Sequence, residues 1–276
     1  MENIYRGMSR QDLDIAYNNV RADPDYAARM LNYTERSEAI YQSASVQRDR
    51  AYGTLPRQRV DWFSGGRKSA QTFVFIHGGY WQNYRKEDLA FVASGALEHG
   101  FNVALAEYTL APEASMTEIV HEIGTLIDHL HSARNESGFG MSGVCLCGHS
   151  AGGQLAALHG DHPVVTLVVS VSGLFDLEPI SLCWLNDKLR LTQEEVLKFS
   201  PILKIRAGAP ALVTVGGSEL PELVRQSQDY AAAQAMAGKW TSMFTIPACN
   251  HFSMLDDLAD PAGTHMSAIV AAMSSL

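Results

Sequence analysis

Apolar runs of strand length alternate with segments of helical periodicity through most of the 276-residue chain, and this alternation limits the fold more than any other feature. The runs at 60–63, 72–76, 103–108, 143–147, 166–171, 211–215 and 242–246 predict strands. Between them, 87–98, 116–134, 152–158, 222–237 and 264–273 predict helices. Strands apolar on both faces, separated by helices, require a mostly parallel sheet covered on each side, which is an α/β fold. Two stretches stand outside the alternation. Residues 1–50 carry Tyr5, Leu13, Tyr17, Val20, Tyr26, Met30, Leu31 and Tyr33 at loosely helical intervals. Residues 174–206 form a polar insertion holding Trp184, with a helix at about 192–199 opened by a Thr192/Glu195 capping box. Both are expected as lid elements over the carboxyl ends of the strands, where open α/β sheets bind ligands. No linker or internal repeat divides residues 1–276, so one domain is expected.

At this length folding buries roughly 75% of the surface of the unfolded chain, enough for a core without disulfides or a structural metal. Lys plus Arg is 21 against 30 Asp plus Glu, a net charge of −9 with no basic run, so nucleic acid is not an expected partner. The start, Met-Glu-Asn-Ile-Tyr-Arg, lacks signal-peptide character, and no apolar run approaches the ~18 residues that cross a bilayer. No membrane partner and a cytoplasmic location are therefore expected. Cys145 and Cys147 alternate within an apolar run, and Cys183 and Cys249 stand alone. Buried thiols are expected, and no metal site.

The sharpest chemical signal is Gly148-His149-Ser150-Ala151-Gly152, between a predicted strand and a predicted helix. A G-x-S-x-G in that setting is a nucleophile elbow, which presents Ser150 on a strained turn. Upstream, the 72–76 strand runs into His77-Gly78-Gly79-Tyr80-Trp81. Glycines let backbone amides approach a developing oxyanion, so Gly78, Gly79 and Ala151 are the candidate donors. The order Ser…acid…His puts the base on a late loop, and His251 follows the last predicted strand. His77 and His149 are expected to orient backbone, and His99, His159, His162 and His265 to be surface or helix-end residues. Glu219 is the first carboxylate beyond the 211–215 strand, with Glu222 as its rival. Tyr80, Trp81, Trp184 and Phe252 are candidates for an aromatic substrate slot.

These motifs, together with Tyr108-Thr109-Leu110-Ala111-Pro112-Glu113, Ser172-Gly173-Leu174-Phe175-Asp176-Leu177 and Glu219-Leu220-Pro221-Glu222, resemble the α/β-hydrolase fold. Within it the likeness is to the group of hormone-sensitive-lipase-like esterases and kynurenine formamidases (arylformamidases), over about residues 60–276. The resemblance implies cofactor-free hydrolysis by a triad of Ser150, His251 and Glu219. Tyr80 and Trp81 stand where many lipase-like esterases have another glycine, which leans toward the formamidase branch, and Glu replaces the commoner Asp. A carboxylesterase acting on small soluble esters is expected, with an arylformamidase cleaving N-formylkynurenine-like amides as the alternative. A non-catalytic binding module is a third expectation. A homodimer is compatible with the sequence, which identifies no interface.

Overall fold

The computed structural model describes residues 3–66, 71–133 and 143–275; Met1, Glu2 and Arg134, which the sequence places in predicted segments, lie outside the described residues. Eight strands form one sheet: β1 Val46–Ala51, β2 Arg59–Phe63, β3 Thr72–Ile76, β4 Asn102–Ala106, β5 Val144–His149, β6 Val165–Val171, β7 Ala211–Gly216 and β8 Thr241–Ile246. Their order is β1-β2-β4-β3-β5-β6-β7-β8. β1 and β2 pair antiparallel, β2 pairs antiparallel with β4, and the six strands from β4 to β8 run parallel. This is the α/β-hydrolase architecture.

Three helices precede the sheet, α1 Arg10–Ala16, α2 Asn19–Ala22 and α3 Tyr26–Ser43. The crossovers and the insertion hold α4 Ala93–Glu98, α5 Met116–Ala133, α6 Ala151–Leu158, α7 Glu178–Ser181, α8 Asn186–Leu189 and α9 Gln193–Phe199. The chain continues with α10 Pro221–Met236, α11 Met254–Ala259 and α12 Thr264–Ser274. Alternate strand residues face opposite layers. Val74, Ile76, Ala104, Val144 and Leu146 pack with α5, α6 and the Leu13/Tyr17 side of the N-terminal segment. Phe73, Phe75, Val103, Cys145 and Cys147 pack with α4, α11, α12 and Tyr33. On α5 the side chains of Ile119, Ile123, Leu126, Ile127 and Leu130 are fully buried, and each contributes about 1.5–3 kcal/mol by leaving water.

The predicted strands agree with β2–β8 to within about two residues. β1 escaped prediction because Val-Gln-Arg-Asp-Arg-Ala is an edge strand in contact with solvent, with no buried face to print a pattern. The Thr192 capping box is present at the start of α9. His265 lies in the first turn of α12, a helix-end position as expected, and is fully buried there, its Nδ1 2.5 Å from Asp257 and its Nε2 2.9 Å from the Thr214 hydroxyl.

The carboxyl ends of β3 and β4 are joined by a buried charge. The Glu107 carboxylate accepts from the Arg57 guanidinium, from the amides of Lys86 (3.0 Å) and Tyr108 (3.1 Å), and lies 3.6 Å from His77 Nε2. Burial raises its pKa, but His77, Arg57 and the Lys86 amide outweigh that and hold it at about 2. A depressed carboxylate stabilises the fold above its ordinary pKa near 4.3, and this stability is lost as pH falls toward 2. Relative to wild type, Glu107→Gln is therefore expected to lose on the order of 2–3 kcal/mol in urea unfolding at pH 7, with the deficit shrinking between pH 4.5 and 2.5. A deficit unchanged at pH 2.5 would contradict this role.

Candidate active site

Ser150 is the single residue between β5 and α6, with φ 56° and ψ −119°, a backbone conformation that costs of order 1–3 kcal/mol in a non-glycine residue. Its amide donates to Val171 O at 2.8 Å, which fixes the turn to β6. The motif's outer glycines are required by contact. A Cβ on Gly148 would lie 2.0 Å from Gly152 O, and one on Gly152 would lie 2.0 Å from Ile76 O. The first turn of α6 thus sits directly on the end of β3.

The loop after β3 lies against the serine: a Cβ on Gly78 would stand 3.0 Å from Ser150 Cβ. Gly79, Tyr80 and Trp81 follow in three successive left-handed conformations (φ 96°, 52° and 57°). Among the described residues the amides of Gly78, Gly79 and Ala151 have no hydrogen-bond acceptor. Three donors beside one hydroxyl are the arrangement a developing oxyanion needs.

His251 lines the same cavity as Ser150, and its Nδ1–H donates to Glu219 Oε2 at 2.7 Å, leaving Nε2 as the basic nitrogen. The second carboxylate oxygen of Glu219 accepts from the Ser172 hydroxyl at 2.5 Å and from the Gly216 amide at 2.8 Å. Glu219 is thereby held by three donors. Glu222 is occupied elsewhere, accepting from Tyr17 OH (3.0 Å) and from Arg225 (2.7 Å). His149 Nε2 donates to the backbone carbonyl of His251 at 2.8 Å, and the two rings stand 4.6 Å apart. Burial, and then the nearby His251, keep His149 well below the ordinary histidine pKa, so it is a neutral strut for the His251 loop. His265 and Asp257 form a comparable pair, but theirs is turned into the core against Thr214 and lies away from the Ser150 cavity.

Ser150, His149 and His251 line a cavity of about 760 Å³, as do Tyr80, Trp184 and Phe252. Tyr80 and Trp184 meet edge to face at 6.4 Å. Trp81 is not in this cavity: it is fully buried beneath, its indole N–H donating to Gln154 Oε1 at 3.3 Å. The left-handed turn that presents Gly78 and Gly79 rotates Trp81 into the core, which corrects the expectation of a substrate contact there. Tyr17, Asn19, Val20, Tyr26 and Met30, from the N-terminal stretch expected as a lid element, also line this cavity, although none of them was singled out as a site residue. Their loosely helical spacing pointed to a lid element but carried no chemical motif. A larger cavity, about 990 Å³, lies between the starts of β7 and β8 and α12, away from Ser150. No group of three or more His, Cys, Asp or Glu side chains suited to a metal ion occurs among the described residues. Within the same residues, no helix is long and apolar enough to cross a membrane.

The BD-FAE family model matches residues 63–166. The kynurenine formamidase of Danio rerio is 28% identical over 281 residues, covering 93% of this chain and 94% of that protein. The kynurenine formamidase of Salmo salar is 30% identical over 202 residues, 68% of this chain and 67% of that protein. Among solved structures, a chain from Silicibacter sp. TM1040 provisionally described as a thioesterase superposes with a TM-score of 0.84 at 28% identity, over 94% of this chain and 99% of that one.

The contact beneath Ser150 predicts that Gly152→Ala destabilises the fold by about 1–3 kcal/mol, as overpacking does, because neither backbone can retreat. Chemical denaturation measures this directly. A loss under 0.5 kcal/mol would show that α6 is free to move off β3.

Proposed function

The chain belongs to the kynurenine formamidase family, and from that premise we propose that it is a serine hydrolase cleaving small acyl or aryl carboxylic esters through an acyl-enzyme on Ser150. One observation above the others supports this. A serine in a strained strand-to-helix turn shares a cavity with an imidazole whose Nδ1–H is committed to a buried carboxylate. Nothing else among the described residues combines nucleophile, base and access.

In the proposed cycle, His251 Nε2 removes the Ser150 proton as Oγ bonds to the substrate carbonyl carbon. The carbonyl oxygen becomes an oxyanion against the amides of Gly78, Gly79 and Ala151; in serine hydrolases one such donor is worth ~2.7–4 kcal/mol. Glu219 holds the imidazole in its productive tautomer and stabilises the imidazolium formed during attack. Collapse of the intermediate breaks the bond to the leaving group, which takes the proton from His251. Water, deprotonated by the same imidazole, then cleaves the acyl-enzyme and regenerates Ser150. No resident cofactor enters this cycle.

A second reading, hydrolysis of N-formyl aryl amides, is favoured by the activity named for the two formamidase relatives. Ester and formamide present the same carbonyl to the same groups and differ in the leaving atom. Tyr80, Trp184 and Phe252 offer either substrate an aromatic face. Four free thiols, three of them buried, suit a reducing compartment and support a cytoplasmic location.

Ser150→Ala is expected to lower kcat by 10³-fold or more on both an aryl ester and an N-formyl aryl amine, with an unchanged circular dichroism spectrum. Glu219→Gln should lose on the order of 10²- to 10⁴-fold, while Glu222→Gln stays within severalfold of wild type. Turnover retained by Ser150→Ala would overturn the proposal, and equal losses at Glu219 and Glu222 would remove Glu219 from the acid role.

A further inference from the structure

Gly78 and Gly79 have no side chains by which the fold could grip them, so the placement of their amides depends on the residues on either side. Before them stands His77, fully buried, with Nδ1 2.9 Å from Gly78 O. After them, Tyr80, Trp81 and Tyr84 hold positive φ values (52°, 57° and 73°) that residues with a Cβ rarely adopt. Such a backbone persists only where its surroundings over-determine it. Side chains of the turn supply the constraint: the Trp81 indole bonds to Gln154 of α6, Gln82 Nε2 donates to Leu185 O at 2.9 Å, and the Tyr84 hydroxyl lies 2.8 Å from that of Tyr26. Tyr80 is the first side chain after the two glycines, and its hydroxyl reaches the N-terminal segment. It donates to the backbone carbonyl of Tyr17 at 2.8 Å and accepts from Asn19 Nδ2 at 2.9 Å. Tyr17 ends α1 and is itself fastened to α10, its hydroxyl donating to Glu222 and accepting from Gln226.

We propose that Tyr80 is a positioning residue: its hydroxyl ties the strained turn to the N-terminal segment and thereby holds the Gly78 and Gly79 amides in place before substrate arrives. Without the tie, the backbone at Tyr80 relaxes toward negative φ, and the peptide between Gly79 and Tyr80 rotates with it. Donors already in place cost no reorganisation during attack, whereas donors that must be reset do. The inference rests on the hydrolase reading of Ser150 and deepens it. It makes Tyr17 and Asn19, which lie outside the sheet, part of the support for the oxyanion.

Tyr80→Phe removes the hydroxyl and keeps the ring that lines the cavity. With phenyl acetate, kcat is expected to fall about tenfold while KM stays within twofold, because only the transition state uses the displaced donors. Affinity for trifluoroacetophenone, whose adduct with a serine carries an oxyanion, should fall by a similar factor. Hydrogen exchange reads the turn without any reference to turnover. The amides of Gln82 and Asn83, which donate to Gly79 O at 3.0 Å, are expected to exchange about tenfold faster in Tyr80→Phe, with β3 and β5 unchanged. A purely structural role would lower stability in urea and leave kcat and ketone affinity at wild-type values, and that result overturns the inference. Faster exchange confined to this turn, in a chain whose native form neither hydrolyses phenyl acetate nor binds the ketone, would uphold the tie and sink the hydrolase proposal instead. Should Tyr80→Phe fail to fold, Asn19→Ala, which removes the donor to the same oxygen, decides by a severalfold loss in kcat at unchanged KM.

Discussion

The geometry of the site depends on how closely the first turn of α6 approaches the end of β3. With 2.0 Å between a hypothetical Cβ at residue 152 and Ile76 O, there is no room for any side chain there. That approach allows a helix to start with a single residue between it and the end of β5, and the cost appears as a left-handed serine. The same closeness brings the loop after β3 against Ser150, so the serine and the free amides are set by one contact. Parallel pairing of β3 with β5, Ile76 opposite Gly148, holds both partners in register.

Glu219 and His251 are positioned by a different device, a network of hydrogen bonds from neighbouring elements. Glu219 is fastened by Ser172 at the end of β6 and by Gly216 at the end of β7. The His251 loop is held by His149 through one carbonyl and by Tyr33 of α3, whose hydroxyl donates to Phe252 O at 2.9 Å. The N-terminal segment is anchored likewise: Tyr5 donates to Asp176 at 2.6 Å and Tyr17 to Glu222. Residues 5–33 are thereby fixed against the carboxyl ends of the strands, and Tyr17, Asn19, Val20, Tyr26 and Met30 line the cavity. Glu222 contributes to this anchoring, which explains a carboxylate so near Glu219 with no path to the imidazole.

Much of this was legible in the residues because parallel strands buried on both faces print continuous apolar runs, and because an elbow needs glycines at fixed offsets. Ser150, Gly78, Gly79, Glu219 and His251 follow from chain order and turn chemistry, and the structure brings them together. Two features were hidden for physical reasons. β1 is a polar edge strand with no apolar pattern to read. Trp81 was assigned to the cavity by adjacency to Tyr80, but three successive positive φ values turn it into the core, and single-residue backbone reversals leave no mark when the residue is not glycine.

The most direct measurement of the central claim is a crystal structure of the chain after reaction with an aryl phosphonate, whose tetrahedral phosphorus mimics the intermediate. The account predicts a covalent bond from Ser150 Oγ to phosphorus, one phosphonyl oxygen about 3 Å from the amides around Gly79 and Ala151, and His251 Nε2 turned to the leaving-group oxygen with Glu219 still on Nδ1. An adduct on another residue, or a Ser150 adduct whose oxygen faces away from those amides, would contradict it.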